Sequence, residues 1–171
     1  MACDTSKLQI FTIGAYGFDE GSFLNGLKTQ GIDTFCDIRL RRGMRGSKYA
    51  WANSNRLQAN LKDIGINYVY VKELAPSKDI REKQKEEDLR WGVSKRERTK
   101  LGRIFTDMYK EICITEQNIT TLFQMLPSSS TKIALFCVEK EPEACHRSIL
   151  AEHLCEKFNL LNGGDIGTWK P

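Results

Sequence analysis

The string TKIALFCVEKEPEACHRSIL, residues 131–150, decides the fold. Its first part, Thr131–Val138, is a short apolar run, the mark of a strand buried on both faces. The run ends in charge at Glu139, turns through a loop holding Pro142, and re-enters periodic sequence at Ser148–Phe158. There Ile149, Leu150, Leu154 and Phe158 fall on one helical face. A buried strand followed directly by an amphipathic helix is half of a parallel βαβ unit.

Outward from that unit the alternation repeats. Leu8–Gly14 (LQIFTIG) reads as a first strand closed by glycine. Phe18–Gln30 carries Phe23, Leu24 and Leu27 at helical spacing and stops at Gly31. Asp33–Arg39 (DTFCDIR) is a second buried strand. Asn53 is placed to cap a helix carrying Leu57, Leu61 and Ile64, which stops at Gly65 before a third strand at Ile66–Val71. Lys78–Glu111 is highly charged, helical in composition, and broken near Trp91-Gly92-Val93; Glu116–Leu126 is a further helix. The end, NLLNGGDIGTWKP, reads either as a short last strand or as a packing tail. The expectation is one α/β domain over 1–171, a Rossmann-like three-layer fold with a mostly parallel sheet and a charged helical insertion, roughly 78–126, after the third strand.

Bulk properties narrow the class. A chain of 171 residues with 40% hydrophobic and 28% charged content is globular rather than disordered. No stretch approaches the roughly 20 apolar residues that span a bilayer. The first residues show no basic region followed by an apolar run, so a cytoplasmic protein with no membrane partner is expected. Of six cysteines none forms a CxxC pair, and Cys36 and Cys137 sit inside apolar runs, as free thiols in a reducing compartment do. The net charge of +4 is mild, but Arg39 to Lys62 holds seven basic residues and no acidic one. Such a block suits an anionic small molecule, a nucleotide or nucleic acid, and otherwise is a solvated loop. Tyr49 and Trp51 within it either stack bases or cap the core.

Parallel sheets bind ligands outside the carboxyl ends of their strands. That rule gathers Gly14, Asp37, Arg39, Glu139 and the helix start Cys145-His146-Arg147 at one edge. A helix start favours anions and depresses a thiol pKa, so Cys145 is a candidate nucleophile with His146 beside it. Arg147 suits bidentate contact with an anion, or braces the carboxylates. Arg39, Arg42 and Arg45 are further anion contacts. Asp37 and Glu139 make an acid–base pair if burial separates their pKa values, or else an ion-pair network with Arg39 and Arg147. The segment at Gly14 lacks both the GxGxxG and Walker patterns, leaving a looser backbone contact to a ligand.

The donor residues do not make a metal site by their spacing. Cys137, Cys145, His146 and His153 are the available donors, but adjacent Cys145 and His146 point in different directions on a helix. His146 and His153 lie about 10.5 Å apart along the axis. No closely spaced ligand pair exists. Neither metal nor cofactor is expected.

With those residues laid out, the chain resembles the family of unknown function numbered 488, the YeaO-like proteins. The resemblance rests on Thr12-Ile13-Gly14, Asp37-Ile38-Arg39, Gly65-Ile66 with Tyr68, and the string Cys137-x-Glu139-x-x-Pro142-x-x-Cys145-His146-Arg147. The loop RRGMRGSKYAWANSNRLQ, LAPS and the charged helices are similar to one subgroup. A departure is Ala75-Pro76 after Leu74, where many members have Gly-Gly. The resemblance implies a Rossmann-like fold with a polar pocket and supplies no reaction. Three functions are open: an enzyme acting on a phosphorylated, nucleotide or nucleic-acid substrate; a non-catalytic nucleic-acid-binding module using the basic loop 39–62; and a thiol redox sensor.

Overall fold

The apolar run near the chain's end becomes the middle of the sheet. In the computed structural model, which describes residues 4–167, strand β4 (Lys132–Cys137) is hydrogen-bonded on both sides and buried from Ile133 onward. Cys3 and the tail residues 168–171 lie outside the described residues. β4 pairs with β1 (Gln9–Gly14) and with β2 (Thr34–Asp37); β3 (Asn67–Tyr70) and β5 (Leu161–Ile166) add on the outside. The order is β3-β2-β4-β1-β5 and every pairing is parallel.

Period-two alternation splits the inner strands between two apolar layers. Ala134 and Phe136 join Phe23 and Leu27 of α1 (Glu20–Gln30) and Leu57 and Leu61 of α2 (Ser54–Asp63). Ile133 and Leu135 face Ile80 of α3 (Lys78–Trp91), Tyr109 of α4 (Arg103–Ile112), Leu122 of α5 (Glu116–Met125) and Leu150 of α6 (His146–Phe158). The chain is thus a three-layer, Rossmann-like α/β fold. Among the described residues no helix is long and apolar enough to cross a membrane.

Local signals set the boundaries. Asp19 and Ser22 form a reciprocal capping box at the start of α1. Gly92, at φ 67°, ends α3 at the expected break. Asn53 does precede α2, but its side chain makes no cap bond; its amide oxygen instead accepts from the Met44 N–H and closes the basic loop. The ambiguous tail is a strand: Gly163 lies so close under the Phe11 ring that a side chain would not fit, which is why a glycine-rich, polar segment forms the edge.

Strand order creates the crevice. The connections leaving β1 and β2 run to the α1/α2 layer, whereas the connection leaving β4 runs to α6 on the other layer. The carboxyl end of β4 is therefore flanked on both sides by chains departing the opposite way, as at a topological switch point.

Gly14, opposite Cys137 in the register, is packed against the Glu139 carbonyl and the Arg147 guanidinium. A methyl there overlaps that carbonyl, so Gly14→Ala is expected to cost about 1–3 kcal/mol in urea unfolding. Gly21→Ala, in α1 with room for a methyl, should instead leave stability equal or raise it by up to ~1 kcal/mol. Equal midpoints for the two variants would contradict the close approach.

Candidate functional site

The site begins at a residue that is not yet helical. Cys145 is the N-cap of α6, with an extended backbone (φ −138°, ψ 144°). Its side chain is therefore out of helical register, and Sγ lies 3.7 Å from Nδ1 of His146. The other imidazole nitrogen, Nε2, sits 3.0 Å from the carbonyl oxygen of Ile38, just past β2. A carbonyl only accepts, so Nε2 carries a proton and Nδ1 is left to face the sulfur. Cys137, the last residue of β4, completes the group: its Sγ, the Cys145 Sγ and a His146 ring nitrogen all lie within 4.8 Å of one another.

Burial alone pushes the Cys145 thiol up, but the hydrogen bond from Cys137 and the charges of His146 and Arg147 outweigh it and hold the thiol well below its ordinary value. Cys137 is held well above the usual range, first by giving its hydrogen bond to Cys145 and then by burial. Burial works against a charged His146, yet the neighbouring Cys145 sulfur overcomes it and raises the imidazole. The Cys145 sulfur thus sits between an imidazole and a second thiol, Cys137, whose own Sγ also lies 3.4 Å from Oε2 of Glu139. Of the other described cysteines, all free thiols, Cys36, Cys113 and Cys155 are raised, by burial above all.

These three groups floor a cleft of about 620 Å³. Its roof is the inner side of α3 and the segment 92–102. The charged helix α3 is solvated only on its outside; Ile80, Gln84 and Asp88 are buried along the inner stripe. The cleft wall carries seven cations, Arg39, Arg41, Lys78, Arg81, Lys85, Lys95 and Arg98, against three carboxylates, Glu82, Asp88 and Glu139. Pro76, part of the Ala75-Pro76 departure, also lines it.

Glu139 latches the roof. Its carboxylate pairs with Lys95 at 3.1 Å and Arg98 at 3.6 Å. Arg98 also pairs with Asp88 at 2.8 Å and donates to the Ala144 carbonyl at 3.2 Å. The Leu101 N–H donates to the Glu143 carbonyl. With Cys145 only 1% exposed, reagents reach it when this roof opens. Glu139→Ala is expected to speed alkylation of Cys145 by iodoacetamide about 5-fold, the factor given by ~1 kcal/mol of lost latch. An unchanged rate, read by peptide mass spectrometry, means the carboxylate holds nothing shut.

The remaining expected site residues are distributed otherwise. Asp37 and Glu139 share one rim but enter separate networks. Asp37 pairs with Arg39 at 2.7 Å and accepts from the Tyr68 hydroxyl at 2.7 Å, whereas Glu139 belongs to the roof. Arg147 is fully buried and turned away from the cleft: its guanidinium donates to the carbonyls of Glu139 and Lys140 and to Asp165 of β5. Gly14 touches that guanidinium rather than the open cleft. Arg42 stacks over Tyr70 at 4.0 Å, and Arg45 is exposed on the loop. Tyr49 is buried beside Tyr16, its hydroxyl accepting from the Gly17 N–H, and Trp51 is in the core; both cap the core. His153 is half-buried on α6, outside the group.

Sequence reasoning missed Lys95, Arg98 and Asp165 as parts of the site. The first two stand among many similar charges, and Asp165 lies in a segment whose structure was undecided. The only signal was Ile80-x-x-x-Gln84-x-x-x-Asp88, one polar-to-apolar stripe at helical spacing.

A family model described as "Domain of unknown function DUF488" matches residues 21–154. The curated proteins and the solved structures give no match. The matched span contains Cys137, Cys145, His146 and the whole roof, and excludes Gly14 and Asp165.

Proposed function

The chain belongs to the DUF488 family, and from that premise we propose that its cleft is the active site of a group-transfer enzyme for a small anionic substrate, a phosphorylated compound or nucleotide, with Cys145 as nucleophile. The observation that carries this reading is the Cys145–His146 pair at the floor of a cleft whose walls hold seven cations and three carboxylates. A thiolate at a helix start, beside a proton donor and under a cationic wall, meets the geometric needs of covalent catalysis.

In this scheme Cys145 Sγ bonds to the electrophilic centre as the leaving group departs with the Nδ1 proton of His146. Water then cleaves the sulfur-bound intermediate, its proton returning to His146 and the thiolate being restored. Arg41, Arg81 and Lys85 neutralise the substrate's charge from the wall. Arg147 and Asp37 stand behind the site as braces.

The test uses paired electrophiles. Iodoacetate should alkylate Cys145 with a rate, relative to iodoacetamide, at least about 10-fold above the same ratio on free cysteine, and salt should erase the excess. Cys145→Ser should abolish hydrolysis of any phosphorylated compound or nucleotide that the wild type turns over. A ratio equal to that of cysteine, or turnover surviving in Cys145→Ser, defeats the reading.

A second reading draws on Arg41, Arg45 and Lys48, which are exposed on the basic loop. It makes the chain a nucleic-acid-binding module, with affinity falling steeply with salt and untouched by Cys145→Ser. Arg39, Arg42 and Arg56 of the same block are already engaged with Asp37, Tyr70 and Glu20, which leaves that surface thin.

A further inference from the structure

We infer that Cys137, Cys145 and His146 form a binding site for a soft divalent cation, zinc above all, with one coordination position open to the cleft. The expectation of no metal rested in part on Cys145 and His146 pointing apart as adjacent helical residues. Because Cys145 is an extended N-cap, that premise does not hold, and β4 delivers a second thiol from eight positions upstream.

The spacing suits an ion. Ligands at about 2.3 Å (sulfur) and 2.1 Å (nitrogen) from a tetrahedral zinc lie ~3.6 Å apart, and two sulfurs ~3.8 Å. Cys145 Sγ and His146 Nδ1 are 3.7 Å apart, and the whole set lies within 4.8 Å, so closure needs side-chain movements of an ångström or less. The second imidazole nitrogen is already held by the Ile38 carbonyl, the outer partner that metal-bound histidines commonly have. Two sulfurs and one imidazole are a soft set that selects zinc-like ions over magnesium or calcium. Two thiolates also balance the charge of a divalent ion, which the cationic walls would otherwise repel. All three residues line the cleft, so the fourth position is open to water or a small anion.

The inference does not rest on nucleophilic catalysis. It concerns the same sulfur, however, and a bound ion would withdraw Cys145 from covalent chemistry.

The experiment uses the full chain, reduced and stripped with chelator, titrated with cobalt(II), then zinc. One equivalent of cobalt should produce thiolate-to-metal charge-transfer absorption that zinc displaces. Affinity should fall at least about 10-fold in each of Cys137→Ser, Cys145→Ser and His146→Gln, and stay unchanged in Cys155→Ser. Because buried variants can fail to fold, X-ray absorption on zinc-loaded wild type gives an independent reading, with two sulfur and at least one nitrogen ligand expected. Absence of the charge-transfer band, fewer than two sulfur ligands, or affinity indifferent to Cys145→Ser overturns the site. Fast, selective iodoacetate alkylation without metal binding overturns the site and leaves the nucleophile standing. Metal binding with an inert Cys145 in the metal-free protein supports the site and removes the nucleophile.

Discussion

Arg147→Ala is expected to lower the unfolding free energy by about 3–5 kcal/mol, although a cationic side chain at a pocket's edge ordinarily reads as a ligand contact. The guanidinium is wholly buried, and its donors are taken by the Glu139 carbonyl at 2.6 Å, the Lys140 carbonyl at 3.1 Å and Asp165 at 3.2 Å. Burial already pushes the Asp165 carboxyl up, against the opposing pull of Arg147 and the Thr12 hydroxyl. Without the arginine that carboxylate and two loop carbonyls lose a partner in a place water reaches poorly, each at a cost of its own. The loop they belong to leads to Cys145, so the variant should also lose its preference for iodoacetate. Exposed Arg45→Ala should leave the denaturation midpoint unchanged. Urea curves of unchanged slope give the comparison. A loss below about 1 kcal/mol for Arg147→Ala would mean that the guanidinium is not a brace.

Asp37→Ala should be of similar size, about 3–5 kcal/mol, because it strands a buried Arg39. The Asp37 carboxylate receives two guanidinium donors, at 2.9 and 2.7 Å, and the Tyr68 hydroxyl at 2.7 Å; it is fully buried and Arg39 nearly so. Burial, and next the Asp37 charge, push that Tyr68 hydroxyl up to about 12. With Asp37 gone, Arg39 keeps the Ala52 carbonyl and its stacking over Phe136, which do not neutralise it. The double change Asp37→Ala with Arg39→Met should therefore be less damaging than Asp37→Ala alone. If the double variant is the less stable one, the pair is not the source of the loss. An acid–base role for Asp37 predicts the opposite pattern, lost turnover with stability intact.

The fold was legible where apolar pattern and punctuation agree. Thr131–Val138 reads as a buried strand, and Gly31 and Gly92 end helices because left-handed backbone is cheap for glycine. β5 was undecided because its exterior is polar and Gly163 is there for Phe11, a partner over 150 residues away. For the site, the residue types at 137, 139 and 145–147 were visible, but their assignments depended on side-chain direction. Cys145 and His146 converge through one non-helical φ/ψ pair, and Arg147 turns inward because Gly14 leaves room for it.

By itself, then, the sequence determined a parallel α/β sheet and an edge where Asp37, Glu139 and Cys145-His146-Arg147 assemble. Those follow from short-range periodicity and from the rule that strand ends collect polar groups. Only the tertiary structure decided which arginines are spent on carbonyls and carboxylates, that the charged helix roofs the cleft, and that two cysteines and a histidine meet. Such outcomes depend on which donor finds which acceptor across the chain, and burial, not local pattern, settles that competition.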